Sequence, residues 1–130
     1  DGGFQMTMCD LATIAENKIN VKFALMENGF LGMVRQWQHI FYQDTFYATR
    51  YTANPDFVKL AEAFGIRAIR VTDKSQVSAA IEEAMAHDGP ALIDFVVDPE
   101  ENVYPMIPPG ESVNELMEEP SPSEEKAWSR

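Results

Sequence analysis

An α/β fold built on a parallel sheet is what this sequence predicts, and three observations carry the prediction. Short apolar runs at Ile19–Met26, "IRAIRV" and "PALIDFVVD" have the length and composition of buried strands. The stretches between them repeat their apolar residues at helical spacing. The two kinds of segment alternate as α-β-α-α-β-α-β, the order expected of βαβ units.

Each element has its own local reason. Met6, Met8, Leu11, Ala12, Ile14 and Ala15 give one broad apolar face to a first helix from about Phe4 to Asn17. The strand Ile19–Met26 follows and gives way to "ENGFLG", where Gly29 and Gly32 interrupt regular structure. "MVRQWQHIFY" reads as a helix with Met33, Trp37 and Ile40 or Phe41 along one side, and Gln43 to Pro55 as an irregular, aromatic-rich connection. "PDFVKLAEAFG" has Pro55 at its first turn and Gly65 as its C′ residue. After the strand "IRAIRV", Thr72 or Asp73 caps the helix "KSQVSAAIEEAMAHDG", and "PALIDFVVD" closes the α/β part.

Beyond Pro99 the chain turns rich in Pro and Glu. Three segments follow: residues 1–98 as the α/β domain, 99–117 as an extended acidic arm with a short helix near Val113 to Met117, and 118–130 as a disordered tail. With 130 residues and 45% hydrophobic composition the chain is one domain's worth and not disordered throughout. A net charge of −11 argues against nucleic-acid or anionic-membrane partners. Nothing approaches the roughly 20 apolar residues of a membrane span, and no basic-then-apolar leader is present. Cys9 is the single cysteine and reads as a small buried hydrophobe in a reducing, intracellular setting.

The opening "DGGFQM" places an acidic residue and two glycines against a helix. In an alternating chain, such a loop and helix should follow a strand, so the sheet is expected to lack its first strand or strands. Asp1 then lies at a carboxyl edge, where open α/β sheets bind ligands. The right-handed crossover brings Glu27, Asn28 and Gly29 to the same edge. A carboxylate and a neutral amide oxygen suit Mg²⁺, which keeps several positions for phosphate or water. Gly2 and Gly3 let backbone N–H groups approach a phosphate closely. Two ordinary turns would give the same spacing. His39 and His87 lack metal-ligand spacing and read as a helix-surface residue and a residue near a helix C-terminus. Arg35 is either a contact for an acidic substrate or a solvated, salt-bridging residue.

Asp1-Gly2, followed after a helix and a strand by Asn28, resembles the thiamine-diphosphate-binding motif, which begins Gly-Asp-Gly and ends at Asn. "NGFLGMVRQWQ", "NPDFVKLAEAFG" and "DPEENVYPMIPPG" are similar to the acetolactate (acetohydroxyacid) synthase large subunit, from Asp1 to about Met117. The resemblance implies the C-terminal part of a thiamine-diphosphate-binding domain. Mg²⁺ would take Asp1, Asn28 and the backbone carbonyl of Phe30, the diphosphate would face Gly2 and Gly3, and Gly29 would also bind the cofactor. Met33 and Val34 match residues bordering the cofactor's thiazolium. Trp37 matches the residue shaping the pocket for the second 2-keto acid, which makes Met33 and Trp37 the residues nearest catalysis. The alternative for Met33 and Trp37 is a pair of core residues at i, i+4.

The implied reaction condenses pyruvate with pyruvate or 2-ketobutyrate in branched-chain amino-acid synthesis. The implied assembly is a homodimer or tetramer, with a possible regulatory small subunit, in the cytoplasm or in a plastid or mitochondrion. FAD belongs to a middle domain outside this chain, and the cofactor-activating Glu to a partner subunit's N-terminal domain. The chain alone is therefore expected to be inactive. Gly3 stands where a Ser is usual, and Glu27 replaces the first of a usual Asn pair. The alternatives are a related decarboxylase such as glyoxylate carboligase or pyruvate oxidase, and a stand-alone assembly unit without activity. In the last case an uncovered sheet edge would favour self-association.

Overall fold

Three parallel strands form the sheet, in the order β1-β3-β2: β1 Lys22–Glu27, β2 Arg67–Val71 and β3 Ala91–Val96. The computed structural model describes residues 1–120. Around the strands run α1 Gly2–Thr7, α2 Asp10–Glu16, α3 Gly32–Phe41, α4 Phe57–Ala63 and α5 Val77–Ala86, with 3-10 turns at Lys74–Gln76 and Val113–Glu115. No helix among the described residues is long and apolar enough to cross a membrane. The described residues divide into two units: Asp1–Phe30 with Tyr51–Pro99, and Leu31–Arg50 with residues 100–120.

The first unit carries the whole sheet, and strand alternation decides what covers each face. Ala91 and Ile93 of β3 join Val71, Ala80 and Ala84 in one buried cluster under α5, with Ile69, Val77 and Phe95 against it. Leu92 points the other way and meets Leu11, Ala61 and Ile66, flanked by Phe4, Phe23 and Ala68. Central β3 is apolar and buried along most of its length because helices cover both sides. Register pairs Lys22 with Ala91 on one side of β3 and Arg67 with Ala91 on the other, so the strands end together at one carboxyl edge.

The α-β-α-α-β-α-β order holds, with one division. The expected first helix is two, because Leu11 N and Ala12 N bond to Met8 O and Cys9 O, a tightened i→i+3 turn that breaks the axis. Cys9 sits at this break and is exposed, which corrects the expectation of a buried cysteine. Met6 and Met8 are exposed as well. The first strand starts at Lys22 and not at Ile19. Lys18 takes φ +50°, and Lys18 N and Ile19 N return to Ala15 O and Ile14 O in a Schellman closure of α2. Gly65, at φ +73°, closes α4 in the same way, and Asp73 caps the turn before α5 in a capping box with Gln76.

In the second unit, α3 buries Arg35 and Gln36, while Met33 and Trp37 are 47% and 40% exposed. The pair is thus not the core stripe that its i, i+4 spacing allowed. Gln36 donates to Val103 O at 3.0 Å and accepts from Val103 N at 2.8 Å, so its amide pairs with the arm backbone as a strand would. Within the arm, Met106 and Met117 form an antiparallel bridge. Residues 121–130, most of the expected tail, lie outside the described residues.

Candidate functional site

The Asp1 carboxylate is the centre of a small hydrogen-bonded constellation at the carboxyl edge of β1. Its Oδ1 accepts from Gly2 N at 2.8 Å, which makes it the N-cap of α1. Its Oδ2 accepts from Gly29 N at 2.7 Å and from Asn54 Nδ2 at 2.9 Å. The Asp1 backbone nitrogen donates to Met26 O at 2.8 Å. Asn28 turns its Oδ1 back to Phe30 N at 3.1 Å, an Asx turn that suits the left-handed Gly29 at φ +70° between them.

Gly2 is buried and has no room for a side chain. A Cβ there would stand 2.0 Å from the Tyr51 hydroxyl, whereas one on Gly3 would meet nothing within 4 Å. The Ser usual at position 3 would therefore fit without displacement. Tyr51 is held in turn by its N–H to Gly29 O at 2.8 Å.

Beside this constellation three strands bring three charged side chains to one face. Asp94 of β3 is fully buried, with Arg70 of β2 as its register partner and Glu27 at the end of β1. Arg70 Nε donates to Asp94 Oδ2 and its Nη2 to Asp56 Oδ1, each at 2.9 Å. That hydrogen bond to Asp94 holds the Arg70 guanidinium above its ordinary pKa. Burial, and then the Asp94 charge, push the Glu27 carboxyl up. Among the described residues Asp94 Oδ1 has no hydrogen-bond partner. Glu27, Asn54, Pro55, Asp56, Arg70 and Val96 line a cavity of about 280 Å³ above this face.

The residues singled out from sequence fall into two groups. Asp1, Gly2, Gly3, Asn28, Gly29 and Phe30 lie in the first unit, where Asp1 binds the backbone beside Asn28. Met33, Val34 and Trp37 lie on α3 in the second. There Val34 and Trp37, with Gln38, Tyr42 and Thr45, line a groove of about 410 Å³. Arg35 is buried, pairs with Glu100 at 3.6 Å and lies 5.2 Å from the Phe46 ring, which supports its salt-bridging alternative. His39 meets Asp44 at 2.5 Å, and His87 ends α5.

Sequence reasoning missed Tyr51, Asn54 and the Arg70–Asp94 pair. For the pair a signal existed: a lone Asp inside "ALIDFVV" and a lone Arg inside "IRAIRV" must neutralise one another if both strands are buried. Nothing local marked Asn54, which reads as a helix start before Pro55.

Among the described residues no group of three or more His, Cys, Asp or Glu is placed to hold a metal. What is present is one carboxylate, with unsaturated capacity on Oδ1, and one amide oxygen in an Asx turn. That set is too poor for a dedicated protein cage. It fits Mg²⁺, which binds through one or two protein groups and completes its octahedron with phosphate and water oxygens.

A parallel sheet with these oxygens at its carboxyl edge offers them where open α/β sheets bind ligands. Residues 1–95 match the family described as thiamine pyrophosphate enzyme, C-terminal TPP binding domain, and the chain belongs to that family. Its curated relatives narrow the class. It is 44% identical over 118 residues to the acetolactate synthase isozyme 2 large subunit of Escherichia coli (strain K12), covering 91% of this chain and 22% of the relative. It is 44% identical over 113 residues to the acetolactate synthase large subunit of Porphyra purpurea, covering 86% and 19%. Against the mitochondrial acetolactate synthase catalytic subunit of Aspergillus candidus it is 40% identical over 117 residues, covering 90% and 17%. The chain thus spans about a fifth of the length of the relatives it matches.

Proposed function

We propose that the chain is the C-terminal portion of the thiamine-diphosphate-binding domain of an acetolactate synthase large subunit, and that it holds Mg²⁺ and the cofactor's diphosphate. The observation that carries this is the Asp1 carboxylate, tied to Gly29 N and Asn54 at the sheet's carboxyl edge beside Asn28. Asp1 and Asn28 would ligate the ion through their side chains and Phe30 through its carbonyl. Gly2 and Gly3 would face the diphosphate through their backbone, and Gly29 would contribute to binding the cofactor.

The cofactor, when bound, supplies the electron sink for decarboxylating a 2-keto acid, and the protein supplies position and electrostatics. Pyruvate would be condensed with pyruvate or 2-ketobutyrate. On this reading Met33 and Val34 border the cofactor, and the Trp37 groove receives the second keto acid. FAD and the cofactor-activating Glu would come from parts of the enzyme outside this chain, in an oligomer with a possible regulatory subunit.

Calorimetric titration of the intact enzyme with thiamine diphosphate and Mg²⁺ tests the metal site. Asn28→Ala is expected to weaken binding, and heats identical to wild type would overturn the site. Product analysis with pyruvate tests the reaction, and absence of acetolactate would favour another thiamine-diphosphate-dependent carboligase or decarboxylase.

A further inference from the structure

The segment from Tyr51 to Asp56 is tied down at three points, and the middle one reaches the site. Tyr51 N bonds to Gly29 O at 2.8 Å, and Asp56 bonds to Arg70 at 2.9 Å. Between them Asn54 Nδ2 donates to Asp1 Oδ2 at 2.9 Å, while Asn54 Oδ1 accepts from Gln5 Nε2 at 3.0 Å. The Gln5 bond occupies the oxygen end of the Asn54 amide, so the nitrogen end must face Asp1. An ionised carboxylate has about four lone-pair sites. Among the described residues Gly29 N and Asn54 together use the two on Oδ2, whereas Oδ1 has one donor, Gly2 N. The terminal torsion of an Asp side chain is broad and two-fold, and with only Gly2 N on Oδ1 and Gly29 N on Oδ2 its two oxygens would be equally satisfied. The second donor makes the two oxygens inequivalent and leaves the open lone pair on Oδ1.

We infer that Asn54 is a positioning residue: its amide saturates Oδ2 of Asp1, with Gln5 behind it, and presents Oδ1 to the metal ion. The inference rests on Asp1 being a metal ligand, as proposed above, and goes beyond it by assigning a residue on a separate loop. Partners that orient a metal's ligands in this way typically control about 10–100-fold of the affinity.

The test uses the intact enzyme. Thiamine diphosphate is titrated calorimetrically at a series of Mg²⁺ concentrations, and the cofactor-free protein is melted in parallel. Asn54→Ala is expected to raise the Mg²⁺ concentration for half-saturation by roughly 10–100-fold, with the melting point of the cofactor-free protein retained. Asn54→Asp, which sets a second carboxylate against Asp1, is expected to raise it further. Gln5→Ala leaves the Asn54–Asp1 bond in place but frees the far end of the amide, and should give a smaller rise. A Mg²⁺ requirement within twofold of wild type in Asn54→Ala, where Asp1→Ala abolishes binding, would overturn the positioning role and leave Asp1 as ligand. An unchanged requirement in Asp1→Ala would overturn both. Should Asn54→Ala fail to fold, an unchanged requirement in Gln5→Ala overturns the positioning role and a raised one supports it.

Discussion

The Tyr51 hydroxyl stands 2.0 Å from the point where a Cβ on Gly2 would lie, and its ring carbon Cζ stands 2.8 Å from it. Gly2 is thus demanded by a neighbour 49 positions along the chain and not by its own backbone angles. Gly3, one residue on, has open space at the same point. Gly2→Ala is expected to cost about 1–3 kcal/mol of overpacking, read by urea unfolding. Gly3→Ser should stay within about 0.5 kcal/mol of wild type. Tyr51→Phe removes the nearest atom, so the double substitution should cost less than the sum of the singles. Additive costs would show that the hydroxyl is not what excludes a side chain at Gly2.

Asp56 joins the same loop to the sheet, and its protonation should be visible in the acid limb of stability. The Lys59 backbone N–H, which it caps, holds its carboxyl below the ordinary 3.8; burial opposes this, and the Arg70 charge adds to the lowering to a lesser degree. A carboxyl depressed in the folded state stabilises above its unfolded value, and this is lost as pH falls through the folded one. Wild type should lose stability on acidification below about pH 4 more steeply than Asp56→Asn, which keeps a capping oxygen but no charge. Thermal melts of both proteins from pH 2 to pH 7 would show it. Parallel curves would remove Asp56 from the acid transition.

Phe57 opens α4 and is fully buried, with its ring edge-on to Phe4 at 5.9 Å between centroids. Phe4 meets Phe23 of β1 at the same separation, so one aromatic contact chain joins α4 through α1 to the sheet. Phe57→Ala is expected to cost about 3–5 kcal/mol, from lost burial and the cavity left behind. Phe57→Leu should cost less. Urea unfolding of both would check the order. A loss under 1 kcal/mol for the alanine variant would mean that α4 does not depend on this contact.

Strand and helix order was legible because it rests on local periodicity and on caps such as Gly65 and Asp73, which act within a few residues. The division of the first helix was not, because Met6 and Met8 extend the apolar spacing although both are exposed. Nor was the burial of Arg35 and Gln36, which depends on a distant arm supplying Glu100 and the Val103 backbone. At the site the same divide recurs. Asp1, Asn28 and the glycines sit where topology delivers strand ends. Asn54 and Tyr51 reach them through a loop whose path has no sequence period.

Trp37 separates packing from function more sharply than any other residue on α3. It is 40% exposed and lines a groove with Val34, Gln38, Tyr42 and Thr45. A buried packing tryptophan costs about 3–5 kcal/mol when truncated, whereas a half-exposed one should cost about 1 kcal/mol. If the groove receives the second keto acid, Trp37 instead contributes to choosing between pyruvate and 2-ketobutyrate. These differ by one methylene, worth about 1–3 kcal/mol in an apolar pocket. In the intact enzyme, Trp37→Leu is expected to leave the melting point nearly unchanged. The product ratio with both keto acids present should shift on the order of tenfold. A large drop in melting point with an unchanged ratio would return Trp37 to the core and leave the choice of second substrate to other residues.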